Sequence, residues 1–142
     1  TPRKLGVPGE HLPKVTYRLI DPDQYRGQRV LVVGGGDSAL EAAAALAAEP
    51  QTTVTLSYRS DAFARAKSKN RQSVAEAAKA GRLELLLPSE VRAISPHQVE
   101  LDVRGQIVVR RNDAVIICAG GILPTGFLKE IGIEIETKYG TA

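Results

Sequence analysis

The stretch that most restricts what this chain can become is Arg29–Leu46, RVLVVGGGDSALEAAAAL, where an apolar β-branched run stops at three glycines and resumes as an alanine-rich helix. Val30 to Val33 have the composition of a strand covered on both faces, as in the middle of a parallel sheet. Gly34 permits a tight turn, Gly35 keeps the main chain bare, and Gly36 has no Cβ to obstruct a pyrophosphate. Ala39, at the third position of the spacing, lets the helix lie close to the strand. The first amides of that helix then face the phosphates, and the helix dipole adds partial positive charge to those donors. Asp37 and Ser38 suit a helix cap. Because an unpaired Asp37 carboxylate would repel phosphates, it is expected to turn back onto backbone amides and leave the Ser38 hydroxyl nearer the ligand.

A glycine turn that binds nothing is the competing reading. A strand before it, a helix after it and a second strand at the expected distance favour a dinucleotide. That strand is Thr53–Tyr58, reached after Glu49 and Pro50 stop the helix. Its end selects the cofactor: an acid there accepts from the ribose 2′-hydroxyl of NAD, whereas arginine or lysine neutralises the 2′-phosphate of NADP. The chain reads Ser57, Tyr58, Arg59, Ser60, with Asp61 next, so NADPH is favoured and NADH stays open. Between Arg59 and Arg82 stand seven cations against Asp61 and Glu76, a surplus of five in a chain whose net charge is +3. Lys79 and Arg82 read as a solvated helix face, Arg59 as functional, and Arg65 and Lys67 as able to serve either way.

A length of 142 residues supports one core rather than two independent domains. No apolar run approaches the ~20 residues of a membrane span, so no membrane partner is expected and the default location is cytoplasmic. The isoelectric point near 9.2 raises nucleic acid as a partner. Few aromatics and basic residues gathered where a phosphorylated cofactor needs them argue against it.

In residues 1–28, Pro2, Pro8, Gly9, Pro13 and Pro22 suggest an irregular arm lying on something else. A helix is predicted over Lys69–Ala80, closed by Gly81, and a third buried strand over Leu83–Leu87. Short alternating runs at Val91–Ile94, Gln98–Val103 and Ile107–Arg111 predict an antiparallel β-meander, and Ala114–Cys118 a final apolar strand. The expected class is therefore α/β: a Rossmann-like parallel sheet of about four strands with helices and an inserted meander.

Four motifs in order, LGVPGE (Leu5–Glu10), YRGQRVLVVGGGDSALEAA (Tyr25–Ala43), TLSYRSDAF (Thr55–Phe63) and ICAGGILPTGFL (Ile117–Leu128), resemble the NAD(P)H-binding domain of thioredoxin-reductase-like pyridine nucleotide-disulfide oxidoreductases. The resemblance implies a domain inserted into an FAD domain: residues 1–28 as the leading hinge, 29–118 as the NAD(P)H-binding unit and 119–142 as the returning segment. It also implies FAD in the full-length protein, an electron acceptor the residues do not identify, and a homodimer as an open possibility. The FAD fingerprint is not in the chain, which reads as an excised domain expected to bind cofactor without turnover.

Two departures narrow the resemblance. Thioredoxin reductases carry a CxxC pair after LGVPGE, where this chain has Val15–Asp21 and, in its whole length, only Cys118. Reduction of thioredoxin through a dithiol is excluded, and the chain looks closer to thioredoxin-reductase-like ferredoxin–NADP reductases or the bacillithiol-disulfide reductase group. Of the family's HRRDxFR specificity motif only Arg59 keeps its arginine, with Arg65 one place late.

The resemblance places Glu41 near the nicotinamide, against the alternative of an exposed helix glutamate. Cys118, Ala119, Gly120 and Gly121, ending the last strand at the carboxyl edge of the sheet, are expected to line the cofactor, with Cys118 as a small buried residue rather than a nucleophile. His11 and His97 have no second ligand at metal spacing, and Tyr17 and Tyr25 are expected to pack. Two rival readings are a non-catalytic NAD(P)-binding sensor and a methyltransferase. The methyltransferase is disfavoured because an acid normally ends its second strand.

Overall fold

A computed structural model describes residues 5–18, 21–60, 62–63 and 66–118. Among the described residues five strands form one parallel sheet: β1 (Val15–Thr16), β2 (Arg29–Val33), β3 (Thr53–Ser57), β4 (Leu83–Leu86) and β8 (Ala114–Ile117), in the order β1-β8-β2-β3-β4. Between β4 and β8 the chain makes an antiparallel meander of β5 (Ser89–Ser95), β6 (Gln98–Val103) and β7 (Gln106–Arg111). Two helices, α1 (Asp37–Ala47) and α2 (Ser68–Lys79), are the crossovers from β2 to β3 and from β3 to β4. The expected architecture holds, with one more strand in the parallel sheet than expected. Among the described residues no helix is long and apolar enough to cross a membrane.

The unbroken apolar run of β2 follows from cover on both faces. Val30 and Val32 meet the helices in one cluster with Ala39, Leu40, Ala43 and Leu46 of α1 and Val74 and Ala77 of α2. Leu31 and Val33 face the other way, into a second cluster with Val91, Ile94, Val99 and Leu101 of the meander. Each buried aliphatic side chain contributes about 1.5–3 kcal/mol, so each layer is anchored on its own account.

The first segment departs from expectation. Rather than lying on something else, it packs on this domain: Leu5, Val7, Leu12, Val15 and Tyr17 join the second cluster, and Val15–Thr16 pairs in parallel with Val115–Ile116. A two-residue strand among prolines has no periodicity to betray it. One carboxylate ties this segment together. Glu10 accepts from the Leu5 amide at 2.8 Å, the Gly6 amide at 2.7 Å and the Tyr17 hydroxyl at 2.8 Å. Burial alone would raise the Glu10 carboxyl, but the donors from Leu5, Tyr17, Gly6 and Val7 together outweigh it and lower its pKa.

Candidate nucleotide-binding site

Strand order reverses beside β2. From β2 the chain winds outward through β3 to β4, and on the other side of β2 lies β8, the last strand among the described residues. In open α/β sheets the crevice at the carboxyl ends of such strands is where ligands bind. Here Gly34–Gly36 leave β2 and Cys118 leaves β8 at that crevice, joined by the Cys118 amide donating to the Val33 carbonyl at 2.7 Å.

The three glycines have three separate causes. Gly34 has φ +138°, a left-handed conformation, and a Cβ there would fall on the Cys118 carbonyl. At Gly35 the half-buried Tyr58 ring occupies the space a Cβ would need. A Cβ on Gly36 would meet nothing within 4 Å among the described residues. Gly36 is also the N-cap of α1 and, being a glycine, brings no capping side chain of its own. Among the described residues no side chain blocks the approach to this helix N-terminus that a diphosphate requires, and the residues present fit a dinucleotide. Ala39 is fully buried against the turn, as its place in the spacing demands.

Asp37 behaves differently from the expectation. It is the first residue of α1, not its cap, and its carboxylate leaves that helix. It accepts from the Lys67 amide and the Asn70 side-chain amide, both at 2.8 Å, so the backbone it satisfies is the start of α2. The Lys67 amide, followed by Asn70, holds the Asp37 carboxyl below its ordinary pKa. Glu41, exposed one turn further along α1, accepts from the same Asn70 nitrogen at 3.1 Å. Ser38 is exposed at the helix start.

The end of β3 is well braced. The Ser89 hydroxyl donates to the Leu86 carbonyl at 2.6 Å, which leaves Ser57 to donate to Ser89 at 2.6 Å, and the Ser89 amide donates to the Tyr58 carbonyl at 2.8 Å. The Tyr58 ring stacks on Phe63 with centroids 5.7 Å apart and planes at 17°. Beyond this platform Arg59 and Ser60 are exposed. Cys118 is largely buried, and burial pushes its thiol up to about 11.

The structure thus gathers Gly34–Ala39, Glu41, Tyr58, Arg59, Ser60 and Cys118 around one edge of the sheet. Asp61, Arg65, Ala119, Gly120 and Gly121 lie outside the described residues, as does the rest of the returning segment. The sequence reading missed Asn70, 8 % exposed and facing α1. Its signal was available: Asn70, Val74 and Ala77 are the buried stripe of α2, with a polar residue at its head.

A model of the family described as "Pyridine nucleotide-disulphide oxidoreductase" matches residues 1–141. The chain is 34% identical to a ferredoxin–NADP reductase of Thermus thermophilus over 147 residues, covering 95% of this chain and 42% of that protein. Bacillithiol disulfide reductase Bdr from Bacillus cereus superposes with a TM-score of 0.84 at 27% identity, over 94% of this chain and 41% of its own. Thioredoxin reductase from Lactococcus lactis superposes with a TM-score of 0.75 at 28% identity, over 94% and 46%. The chain spans less than half the length of each of these relatives. With the Rossmann-like sheet, the glycine turn at its switch point and the family match agreeing, this chain belongs to the pyridine nucleotide-disulphide oxidoreductase family, in its thioredoxin-reductase-like branch.

Proposed function

We propose that this chain is the NAD(P)H-binding domain of an FAD-dependent oxidoreductase, with NADPH its preferred cofactor. The observation that carries the reading is the space at Gly36, open among the described residues, in front of a helix start whose cap is a glycine. Gly36 and the first amides of α1 hold the diphosphate, and the Ser38 hydroxyl lies beside it. Tyr58 and Ser60 border the adenosine and Arg59 neutralises the 2′-phosphate. Glu41 and the segment from Cys118 through Ala119 to Gly121 border the nicotinamide. When bound, the reduced nicotinamide supplies a hydride to FAD carried on another domain, and this chain's own work is to bind and orient it. A single cysteine, largely buried, gives the chain no dithiol through which electrons could pass onward.

Calorimetric titration with NADPH, NADH and S-adenosylmethionine tests the reading. NADPH binds most tightly, NADH more weakly and S-adenosylmethionine not at all. The purified chain carries no flavin and does not oxidise NADPH with an added acceptor. Binding of neither dinucleotide would remove the assignment, and turnover by the chain alone would remove its second half.

A further inference from the structure

The segment between β3 and α2 carries the cations Arg59 and Lys67, and both of its described ends are fastened to the glycine turn. At one end the Tyr58 ring sits against Gly35. At the other, the Lys67 amide donates to Asp37 at 2.8 Å. Lys67 is the N-cap of α2, and no side chain of its own helix caps it, so Asp37 of α1 is the cap of α2.

This link is polar where an apolar one would serve. Elsewhere α1 and α2 share one hydrophobic cluster. At their starts, however, Asp37 and Glu41 stand one turn apart, a like-charged spacing that destabilises a helix on its own. The buried Asn70 amide reconciles them, donating one hydrogen to each at 2.8 and 3.1 Å. An amide buried in this way loses more when a partner is removed than the pair contributes when intact, so the arrangement is sensitive to substitution. It does two things for an anion at the glycine turn. It directs the Asp37 charge onto the start of α2 and away from the diphosphate, and it holds the beginning of α2 at a fixed offset from the turn.

We infer that Asp37 and Asn70 are positioning residues that set discrimination between the 2′-phosphorylated and the plain dinucleotide, by holding Lys67, and with it the Lys67 cation, at a fixed offset from the glycine turn. The inference rests on the reading of the site as a dinucleotide cradle. Asn70 acts only through Asp37 and the Lys67 amide that Asp37 holds.

Titration of the full chain and of its Asn70→Ala, Asp37→Ala and double variants with NADPH and NADH separates this from a merely structural role. The ratio of NADPH to NADH affinity falls about tenfold in Asn70→Ala, the size of one lost charge-assisted hydrogen bond. Asp37→Ala lowers it similarly, and the double variant lowers it no further than the larger single effect, because both break one link. Asn70→Gln, which keeps the amide donor, restores part of the ratio. If Asn70→Ala proves unfolded by circular dichroism, Asp37→Ala, altered at a half-buried helix start, carries the test. Equal losses for both dinucleotides, with the ratio unchanged, overturn the inference and leave the cradle intact. Failure of the unsubstituted chain to bind either dinucleotide overturns both.

Discussion

A Cβ placed on Gly34 falls on the carbonyl oxygen of Cys118, so the turn after β2 can exist only without a side chain at that position. Gly36, two residues on, has φ −91° and ψ −177°, an extended conformation open to any residue, and among the described residues nothing stands where its Cβ would go. The two glycines should therefore fail differently. Gly34→Ala loses stability, by about 1–3 kcal/mol, from the strained φ and the backbone collision. Gly36→Ala melts like the parent but binds NADPH at least about tenfold more weakly, since its methyl group stands where the diphosphate approaches. Denaturant melts paired with calorimetric titration read both, and normal binding by Gly36→Ala would remove the cradle.

Arg59 is exposed at the end of β3, with no carboxylate immediately before or after it in sequence. Arg59→Ala should weaken NADPH about tenfold and NADH by less than twofold, in keeping with one lost charge-assisted contact. Equal weakening of the two would take the 2′-phosphate role from it.

The Cys118 thiol, raised by burial to about 11 from an ordinary 9.0, should be a poor nucleophile. At pH 8 its thiolate fraction is about 100-fold below that of an unperturbed thiol, two pKa steps apart. Iodoacetamide labelling followed by mass spectrometry should be correspondingly slow and accelerate only in strong alkali. Rapid labelling at pH 8 would show that the thiol is activated.

Glu10 carries a pH dependence whose sign is fixed by its lowered pKa. A carboxyl whose folded pKa lies below its ordinary 4.5 adds stability above that value and loses it as pH falls through the folded value. The melting-temperature gap between the parent and Glu10→Gln should be steady at neutral pH and close in acid below that value. A gap that stays constant down to pH 3 would mean the carboxylate charge is irrelevant to the clamp.

Leu31, 1% exposed, faces the meander, whereas Ile107 on β7 is 55% exposed. Leu31→Ala should cost about 2–5 kcal/mol, as large-to-small core changes do. Ile107→Ser should stay within about 0.5 kcal/mol. Urea titration of both variants tests whether the second layer is a true core.

Where a side chain's role follows from local pattern, the sequence was enough. The strand-turn-helix of Arg29–Leu46, the meander and Ala39 against the turn were all legible, because periodicity and glycine spacing are local properties. What was illegible depends on contacts between distant segments. Val15–Thr16 becomes a strand only because Val115–Ile116 lies beside it. Gly35 is bare on account of Tyr58, and Asp37 turns to α2 because Asn70 and the Lys67 amide wait there. Neither partner is within one helical turn of the residue it governs, and a scan of spacing cannot weigh them.

The Glu10 clamp has a geometric corollary. It draws Leu5 up to Tyr17, just past the carboxyl end of β1, while Cys118 stands just past the carboxyl end of neighbouring β8. Both extremities of the described chain thus emerge at one corner, on the same rim as the glycine turn.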